Sequence, residues 1–162
     1  MGRGAGKPSV DDLVSHLGVH RNSLYKTFGS KRGLYLAALK WSLEHEVAGL
    51  VERVTAAGGH TEKTHDVLAD AVTGTELDLV LLAAVERAPV DAEVAQVVGE
   101  AFAALDRAVG GVGHTGENGD ARAAHAVATP LLIGLRTQVR SGTADAKITR
   151  AGVALAQRLG RP

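Results

Sequence analysis

Apolar residues recur along most of this chain at steps of three and four, the spacing that places them on one face of an α-helix. The pattern is most regular after Ser30, where it predicts one long amphipathic helix that ends at Gly58-Gly59. The apolar positions that carry this prediction are Leu36, Leu39, Leu43, Val47, Leu50 and Val54.

Three further helices are predicted in the middle of the chain, separated by glycine and proline residues. The first covers about residues 62–72. The second starts at Thr75, ends before Pro89, and is apolar nearly all round over residues 79–85. An apolar surface of that kind predicts a central, buried helix. The third is expected to be capped by Asp91.

The last part of the chain predicts two more helices. Asp120 is expected to cap the first of them, and Pro130 inside its pattern predicts a kink, because proline removes a backbone hydrogen bond. The second follows Ser141-Gly142 and carries Ile148 among its apolar positions. No stretch alternates with a period of two, so the predicted fold class is all-α.

The first 30 residues predict two short helices around a glycine-containing turn. Ser9 is a suitable N-cap for the first helix, and Gly18 can adopt the left-handed conformation of a C-terminal cap. The second helix is predicted at about residues 21–28. Two short helices in this arrangement form a helix-turn-helix, whose second helix lies in the major groove of DNA.

The charge of the chain is unevenly distributed, although its formal net charge is zero. Residues 1–32 hold six basic and two acidic residues, a balance of +4, and the remainder holds 12 basic and 16 acidic residues, a balance of −4. A basic segment joined to an acidic body favours attraction to phosphate at one end of the molecule. The alternative is a chance fluctuation of surface charge.

Several classes of protein are disfavoured by composition. With no cysteine, the chain has no disulfide, thiolate metal ligand or catalytic thiol. The longest apolar run, residues 79–85, is far shorter than the ~20 residues of a membrane span, and no charged and then apolar leader opens the sequence. We therefore expect a cytoplasmic protein that does not enter a membrane.

Four enzyme-like or metal-binding patterns lack the neighbouring residues or elements that their function requires. Residues 111–116 match G-x-G-x-x-G but follow a helix rather than a strand, and residues 23–26 match S-x-x-K without its companion motifs. His45-Glu46 would need a second histidine where Gly49 stands. The seven histidines are scattered. We expect no metal site, no cofactor and no enzymatic activity.

Two segments resemble the tetracycline-repressor family of bacterial transcriptional regulators. Residues 23–31 (SLYKTFGSK) followed by Gly33-Leu34-Tyr35 are similar to the family's DNA-binding signature, and residues 81–105 resemble the regulatory-domain core of one branch. The resemblance implies a helix-turn-helix DNA-binding region at residues 1–40. It also implies a helical domain at residues 41–162 that binds an effector and dimerises through its last two helices.

Family members carry one more helix before the segment that starts here at Ser9. The preceding MGRGAGKP is too short, and too rich in glycine and proline, to supply it. The DNA-binding region is therefore expected to be incomplete at its N-terminus, and the apolar residues of the two short helices to lose part of their cover.

The predicted DNA contacts lie on the second short helix and beside it. Arginine typically reads guanine and asparagine reads adenine, so Arg21 and Asn22 suit base contact, whereas lysine and tyrosine more often bind phosphate. The alternative is that His20 and Asn22 only cap the helix. The predicted DNA-binding residues are Ser9, His20, Arg21, Asn22, Ser23, Tyr25, Lys26 and Lys31.

Polar residues near the expected kink and at the end of the apolar helix are the candidates for an effector pocket: Glu86, Arg87, His125 and Thr129. The alternative is that Glu86 and Arg87 are solvated and that His125 is a surface or satisfied histidine. Because aromatic residues make up only 3% of the chain, an aliphatic or small polar effector is a better match than a flat aromatic one.

Apolar stripes on the last two helices, with small glycines that permit close approach, predict a two-fold four-helix dimer interface. Its predicted residues are Leu131, Gly134, Leu135, Ile148, Gly152, Leu155 and Leu159. The resemblance implies a ligand-responsive regulator, in this family most often a repressor, that binds a palindromic double-stranded DNA operator as a homodimer. The alternative is a helical dimerisation or ligand-binding protein that has lost DNA binding through N-terminal truncation.

Overall fold

The structure is a computed structural model that describes residues 20–57, 60–111 and 119–159. Within these ranges the side chains of residues 21, 61, 110–111, 119–128 and 156–159 are not described. The chain divides into two compact units, Met1–Lys40 and Trp41–Pro162, called here the N-terminal unit and the C-terminal unit.

Every element in the described part of the chain is a helix, and the predicted all-α fold class is confirmed. In chain order the elements are α1 (Arg21–Phe28), α2 (Lys31–Ser42), a π-helical segment (Leu43–Val47), α3 (Ala48–Ala56), α4 (Thr61–Thr73), α5 (Asp78–Glu86), α6 (Ala92–Gly111), α7 (Gly119–Arg140) and α8 (Ala146–Leu159). Helix α2, the π-helical segment and α3 follow one another without a break, as the regular apolar pattern after Ser30 predicts.

Helix α7 holds the C-terminal unit together, because it packs against α4, α6 and α8. Helix α8 also packs on α4, and α3 packs on both α4 and α6. Branched aliphatic side chains fill the space between these helices, as is usual where apolar helix faces meet. The most deeply buried of them are Leu50, Val54, Leu68, Val72, Val80, Val94 and Val153.

Asp91 caps α6 as predicted. Its carboxylate Oδ1 accepts hydrogen bonds from the backbone N–H groups of Glu93 at 3.2 Å and Val94 at 3.4 Å. Two of the amides that have no partner inside the helix are satisfied in this way. Pro130 lies inside α7, and the kink expected there stays a prediction.

The expectation that residues 79–85 form a central, buried helix is wrong. Val80 and Ala83 of α5 are fully buried, but Leu82 is 49% exposed and Val85 is 78% exposed. Helix α5 packs chiefly against α6, so only one side of it is covered. Although its sequence is an apolar run, α5 therefore lies at the surface and exposes an apolar face.

The start of α5 also differs from the prediction. The helix begins at Asp78 rather than near Thr75, because the chain makes a turn in which the N–H of Asp78 donates to the carbonyl of Thr75 at 3.0 Å. Asp78 is the first residue of α5, and its carboxylate binds arginines from α7.

A buried arginine connects three helices of the C-terminal unit. Arg136 of α7 is only 3% exposed, and its Nε and Nη2 donate to Oδ1 of Asp78 at 3.0 and 2.6 Å. Its Nη1 donates to the carbonyl of Val72 at 3.0 Å. That carbonyl lies in the last turn of α4, where carbonyl groups have no partner inside the helix. Arg136 therefore joins α7 to the end of α4 and the start of α5 by charge-assisted bonds.

Removing this arginine should destabilise the fold strongly. Arg136→Met would leave the Val72 carbonyl buried without a partner and Asp78 with only Arg140, whose Nη1 lies 3.3 Å from Asp78 Oδ2. We expect a loss of about 3 kcal/mol in the free energy of unfolding, measured by urea denaturation.

The matched control is Arg53→Met. Arg53 pairs with Glu76 at 2.6 Å, but its side chain is 45% exposed, so its loss should cost less than about 1 kcal/mol. Equal effects of the two substitutions would contradict the structural importance of the buried pair.

Candidate nucleic-acid interface

Helix α1 is short, amphipathic and bounded as predicted. It runs from Arg21 to Phe28, with Leu24, Tyr25 and Phe28 half-buried. The remaining described side chains of α1, those of Asn22, Ser23, Lys26 and Thr27, are exposed. The register of an α-helix puts these four on one continuous face. Helix α1 therefore presents a polar face with one lysine.

The turn after α1 depends on two glycines. Gly29 has a φ of +72°, a backbone value that glycine adopts readily and other residues rarely do, and it donates its N–H to the carbonyl of Tyr25 at 2.8 Å. Ser30 caps α2 through Oγ, which accepts the N–H of Gly33 at 2.9 Å. A Cβ atom on Gly33 would lie 2.0 Å from the carbonyl oxygen of Phe28. Only glycine fits this close approach, and the turn fixes where Lys31 begins α2.

The described part of the N-terminal unit is strongly basic. Residues 20–40 contain five basic residues and no acidic one: Arg21, Lys26, Lys31, Arg32 and Lys40. Of these, Lys26, Lys31, Arg32 and Lys40 are exposed. Such a surface attracts phosphate from any sequence of DNA, because each contact releases counterions.

Most of the predicted DNA-binding residues in the described range lie on this surface. Asn22, Ser23 and Lys26 share the exposed face of α1, and Lys31 is exposed at the start of α2. Tyr25 is half-buried at the edge of that face.

His20 occupies the N-cap position of α1, but its side chain makes no capping hydrogen bond and is exposed. Its backbone carbonyl instead accepts the N–H of Ser23 at 2.9 Å. The alternative that the His20 side chain only caps the helix is therefore not supported by the geometry.

Two predicted DNA contacts cannot be placed in this way. Ser9 lies outside the described residues, and so does the side chain of Arg21. The backbone places Arg21 as the first residue of α1.

Sequence reasoning missed Arg32, which is exposed beside Lys31 in the first turn of α2. The signal was present, since the basic pair Lys31-Arg32 directly follows Gly29-Ser30. Thr27 is also exposed on the face of α1, but its hydroxyl already donates to the carbonyl of Ser23 at 3.0 Å.

The three effector-pocket candidates whose side chains are described do not come together. Thr129 is 2% exposed and lines an internal cavity of the C-terminal unit. Glu86 is exposed and lines a separate surface groove with Leu82, Val85 and others, and Arg87 is exposed beyond the end of α5. The side chain of His125 lies outside the described residues. The grouping is corrected accordingly: Glu86 ends α5 and Arg87 follows it, at the surface and outside the described cavity lining.

The predicted dimer residues also divide into two sets. Leu135 is only 5% exposed, and a Cβ on Gly152 would lie 2.5 Å from its Cδ1. These two residues are therefore corrected to packing between α7 and α8 within the chain. Ile148 and Leu155 of α8 are 47% and 49% exposed, Gly134 is exposed, and Leu131 is half-buried. The side chain of Leu159 lies outside the described residues.

The described ranges contain neither a metal-binding cluster nor a membrane-spanning helix. No group of three histidine, aspartate or glutamate side chains there is arranged to hold a metal ion. None of the helices described is long and apolar enough to cross a membrane.

A chain whose described elements are all helices, with a basic segment at residues 20–40 and an exposed polar helix face, has the features of a nucleic-acid-binding protein. Comparison with known proteins agrees with that class. Residues 2–38 match the family described as "Bacterial regulatory proteins, tetR family". The predicted resemblance to this family is thereby confirmed for residues 2–38.

A relative supports the same assignment. Over 94 residues the chain is 37% identical to the uncharacterized HTH-type transcriptional regulator YezE of Bacillus subtilis (strain 168). The match covers 54% of this chain and 48% of the relative, so the chain spans about half the length of the curated relative that it matches. No solved structure matches the chain.

Proposed function

We propose that this protein is a transcriptional regulator that binds a palindromic DNA operator as a homodimer, most simply as a repressor, and responds to a small-molecule effector in the cytoplasm. The observation that carries the proposal is the exposed face of α1, formed by Asn22, Ser23, Lys26 and Thr27 in a segment free of acidic residues. The tetR-family match of residues 2–38 supports it independently.

The chemistry of the face suggests a division of roles. Asn22 and Ser23 lie in the first turn of α1, the end of a recognition helix that usually reaches base edges in the major groove. An asparagine amide can bond the N6 and N7 atoms of adenine. Lys26, Lys31 and Arg32 suit phosphate contacts, which set the register on the duplex without reading its sequence.

A dimer with two-fold symmetry would bind an operator that has the same symmetry. Two copies of α1 related by a two-fold axis would contact half-sites about one helical turn apart, ~34–36 Å. The proposed interface uses the exposed apolar residues of α7 and α8, namely Gly134, Ile148 and Leu155. Ile148 and Leu155 are seven residues apart and therefore share a face of α8.

DNA binding is tested by changing one exposed lysine in each unit. A duplex is first selected from a random library by the full chain, and its affinity is measured over a range of salt concentrations. Lys31→Ala should weaken binding to all sequences alike and reduce the slope of log K against log salt by about 1, because one phosphate contact is lost.

The control is Lys147→Ala, which removes an exposed lysine from α8 and should change neither quantity. Equal slopes for Lys31→Ala and the unmodified protein would refute the phosphate contact. If no duplex is enriched, DNA binding itself is refuted, and the alternative of a helical dimerisation or ligand-binding protein is favoured.

The dimer interface is tested by a charge at Leu155. Since this side chain is already 49% exposed in the protomer, Leu155→Glu should leave the protomer folded and convert the dimer into monomers by sedimentation velocity. Binding to a two-half-site duplex should weaken at the same time.

Val85→Glu provides the matched control, because Val85 is 78% exposed on α5, outside the proposed interface. This variant should remain dimeric. A dimer that survives Leu155→Glu, or one that is lost with Val85→Glu, would contradict the interface.

A further inference from the structure

Helix α5 exposes an apolar stripe at the surface of the C-terminal unit. Leu82 and Val85 are three residues apart, so they lie on one side of the helix, and they are 49% and 78% exposed. Leu79, three residues before Leu82, continues the line and is half-buried. These three residues are called here the α5 stripe. Aliphatic side chains exposed side by side are typical of a contact with another molecule.

A groove of about 500 Å³ lies beside the α5 stripe, between α5 and the end of α7. The stripe lines it from one side, and Thr137 and Arg140 of α7 line it from the other. The groove is larger than one aliphatic side chain. The surface therefore combines a projecting side chain, Val85, with a recess next to it that could receive another.

The two ends of this groove carry opposite charges. At one end Arg140, whose side chain is 63% exposed, lies 3.3 Å from Oδ2 of Asp78, the first residue of α5. Since the buried Arg136 already balances the charge of Asp78, Arg140 supplies a surplus positive charge there. At the other end Glu86, the last residue of α5, is exposed. Asp78 and Glu86 are eight residues apart, which is about 12 Å along a helix.

A surface with an apolar centre and opposite charges at its ends is complementary to a second copy of itself. If two copies of α5 meet antiparallel about a two-fold axis at Leu82, the start of each helix faces the end of the other. Arg140 of each copy then lies beside Glu86 of the other copy. Val85 of each copy enters the groove of the other copy, opposite Leu79.

Other occupants match this surface less well. A DNA duplex is disfavoured, because the carboxylates of Asp78 and Glu86 both line the groove and repel phosphate. A small ligand would stay largely in water, because Leu82 and Val85 are so exposed, whereas typical ligand pockets enclose most of the ligand surface.

We propose that a second copy of this chain docks on the α5 stripe through a two-fold antiparallel contact, separate from the dimer interface proposed for α7 and α8. Each copy contributes one helix of nine residues, and interfaces below about 1,000 Å² are weak or transient. The role of the contact is to join dimers bound at neighbouring operators, where the local concentration is high. That role rests on the proposed function, but the contact itself does not depend on DNA.

Cross-linking through one introduced cysteine tests the contact, because the chain has no cysteine of its own. The Leu82→Cys variant places its thiol on the proposed axis, so a short bis-maleimide should link two copies. Val90→Cys is the matched control, because Val90 is 79% exposed but does not line the groove. Linking should be about 10-fold faster in Leu82→Cys, since the contact raises the local concentration of its thiols. Equal rates in the two variants would overturn the proposal.

The substitution Leu155→Glu distinguishes this contact from the interface of α7 and α8. Linking through Leu82→Cys should persist when Leu155→Glu is added, because α8 takes no part in the α5 contact. If linking disappears in the double variant, the two α5 helices meet only within the dimer formed by α7 and α8. That result would refute a separate contact.

Charge reversal tests the antiparallel geometry. In the Leu82→Cys/Leu155→Glu background, Glu86→Arg and Arg140→Glu should each slow linking about 10-fold, because two ion pairs become repulsive contacts. An equal mixture of these two variants should recover the rate, since the reversed charges of one then face those of the other. Circular dichroism checks that each variant is folded. Normal linking by Glu86→Arg alone, or a mixture of folded variants that does not recover, would refute the geometry.

The role on DNA is tested with a duplex that carries two copies of the selected operator. Val85→Glu should reduce the cooperativity of binding to this duplex and leave binding to a single operator unchanged. Unchanged cooperativity would refute the joining of neighbouring dimers. Cross-linking without any selected duplex would refute the regulator while the contact stands, and operator binding without cross-linking would refute the contact alone.

Discussion

The C-terminal unit depends on the pairing of one buried charge. A guanidinium as enclosed as that of Arg136 needs partners inside the protein, and here each of its three nitrogens donates to Asp78 or to the Val72 carbonyl. The same bonds give the end of α4 a donor that the helix lacks. They also hold the first residue of α5, which explains how a helix with Leu82 and Val85 exposed keeps a defined position.

The N-terminal unit depends on a different constraint, the absence of a side chain at Gly33. The backbone of Phe28 approaches Gly33 so closely that a Cβ atom would overlap its carbonyl oxygen. This contact, with Gly29 and the cap from Ser30, sets the turn between α1 and α2. The exposed face of α1 and the basic start of α2 are thereby arranged next to one another within this unit.

Local patterns in the sequence predicted the features that depend on local chemistry. The bounds of α1, the long helix after Ser30 and the cap at Asp91 all follow from side-chain spacing and helix-end preferences within a few residues. The family signature between Ser23 and Tyr35 also lies within one short segment.

The predictions that were wrong concern which side of a helix is covered by other helices, and the spacing of apolar residues alone does not reveal this. The apolar helix α5 lies at the surface. Leu135 and Gly152 contact each other between α7 and α8 of the same chain, so they are not free for a second copy. The bond between Arg136 and Asp78 joins residues 58 positions apart, so no local sequence pattern predicts it. The cavity likewise arises from four helices together, and only its polar member, Thr129, was among the predicted residues.

We propose that the exposed face of α1 contacts DNA. The most direct test is an NMR titration of the ¹⁵N-labelled full chain with a duplex that the protein selects from a random library. The amide signals of Asn22, Ser23, Lys26 and Lys31 should shift most, and the shifts should diminish as salt is added, because the phosphate contacts weaken. Binding of that duplex with these four signals unchanged, and with shifts confined to residues 41–162, would contradict the account.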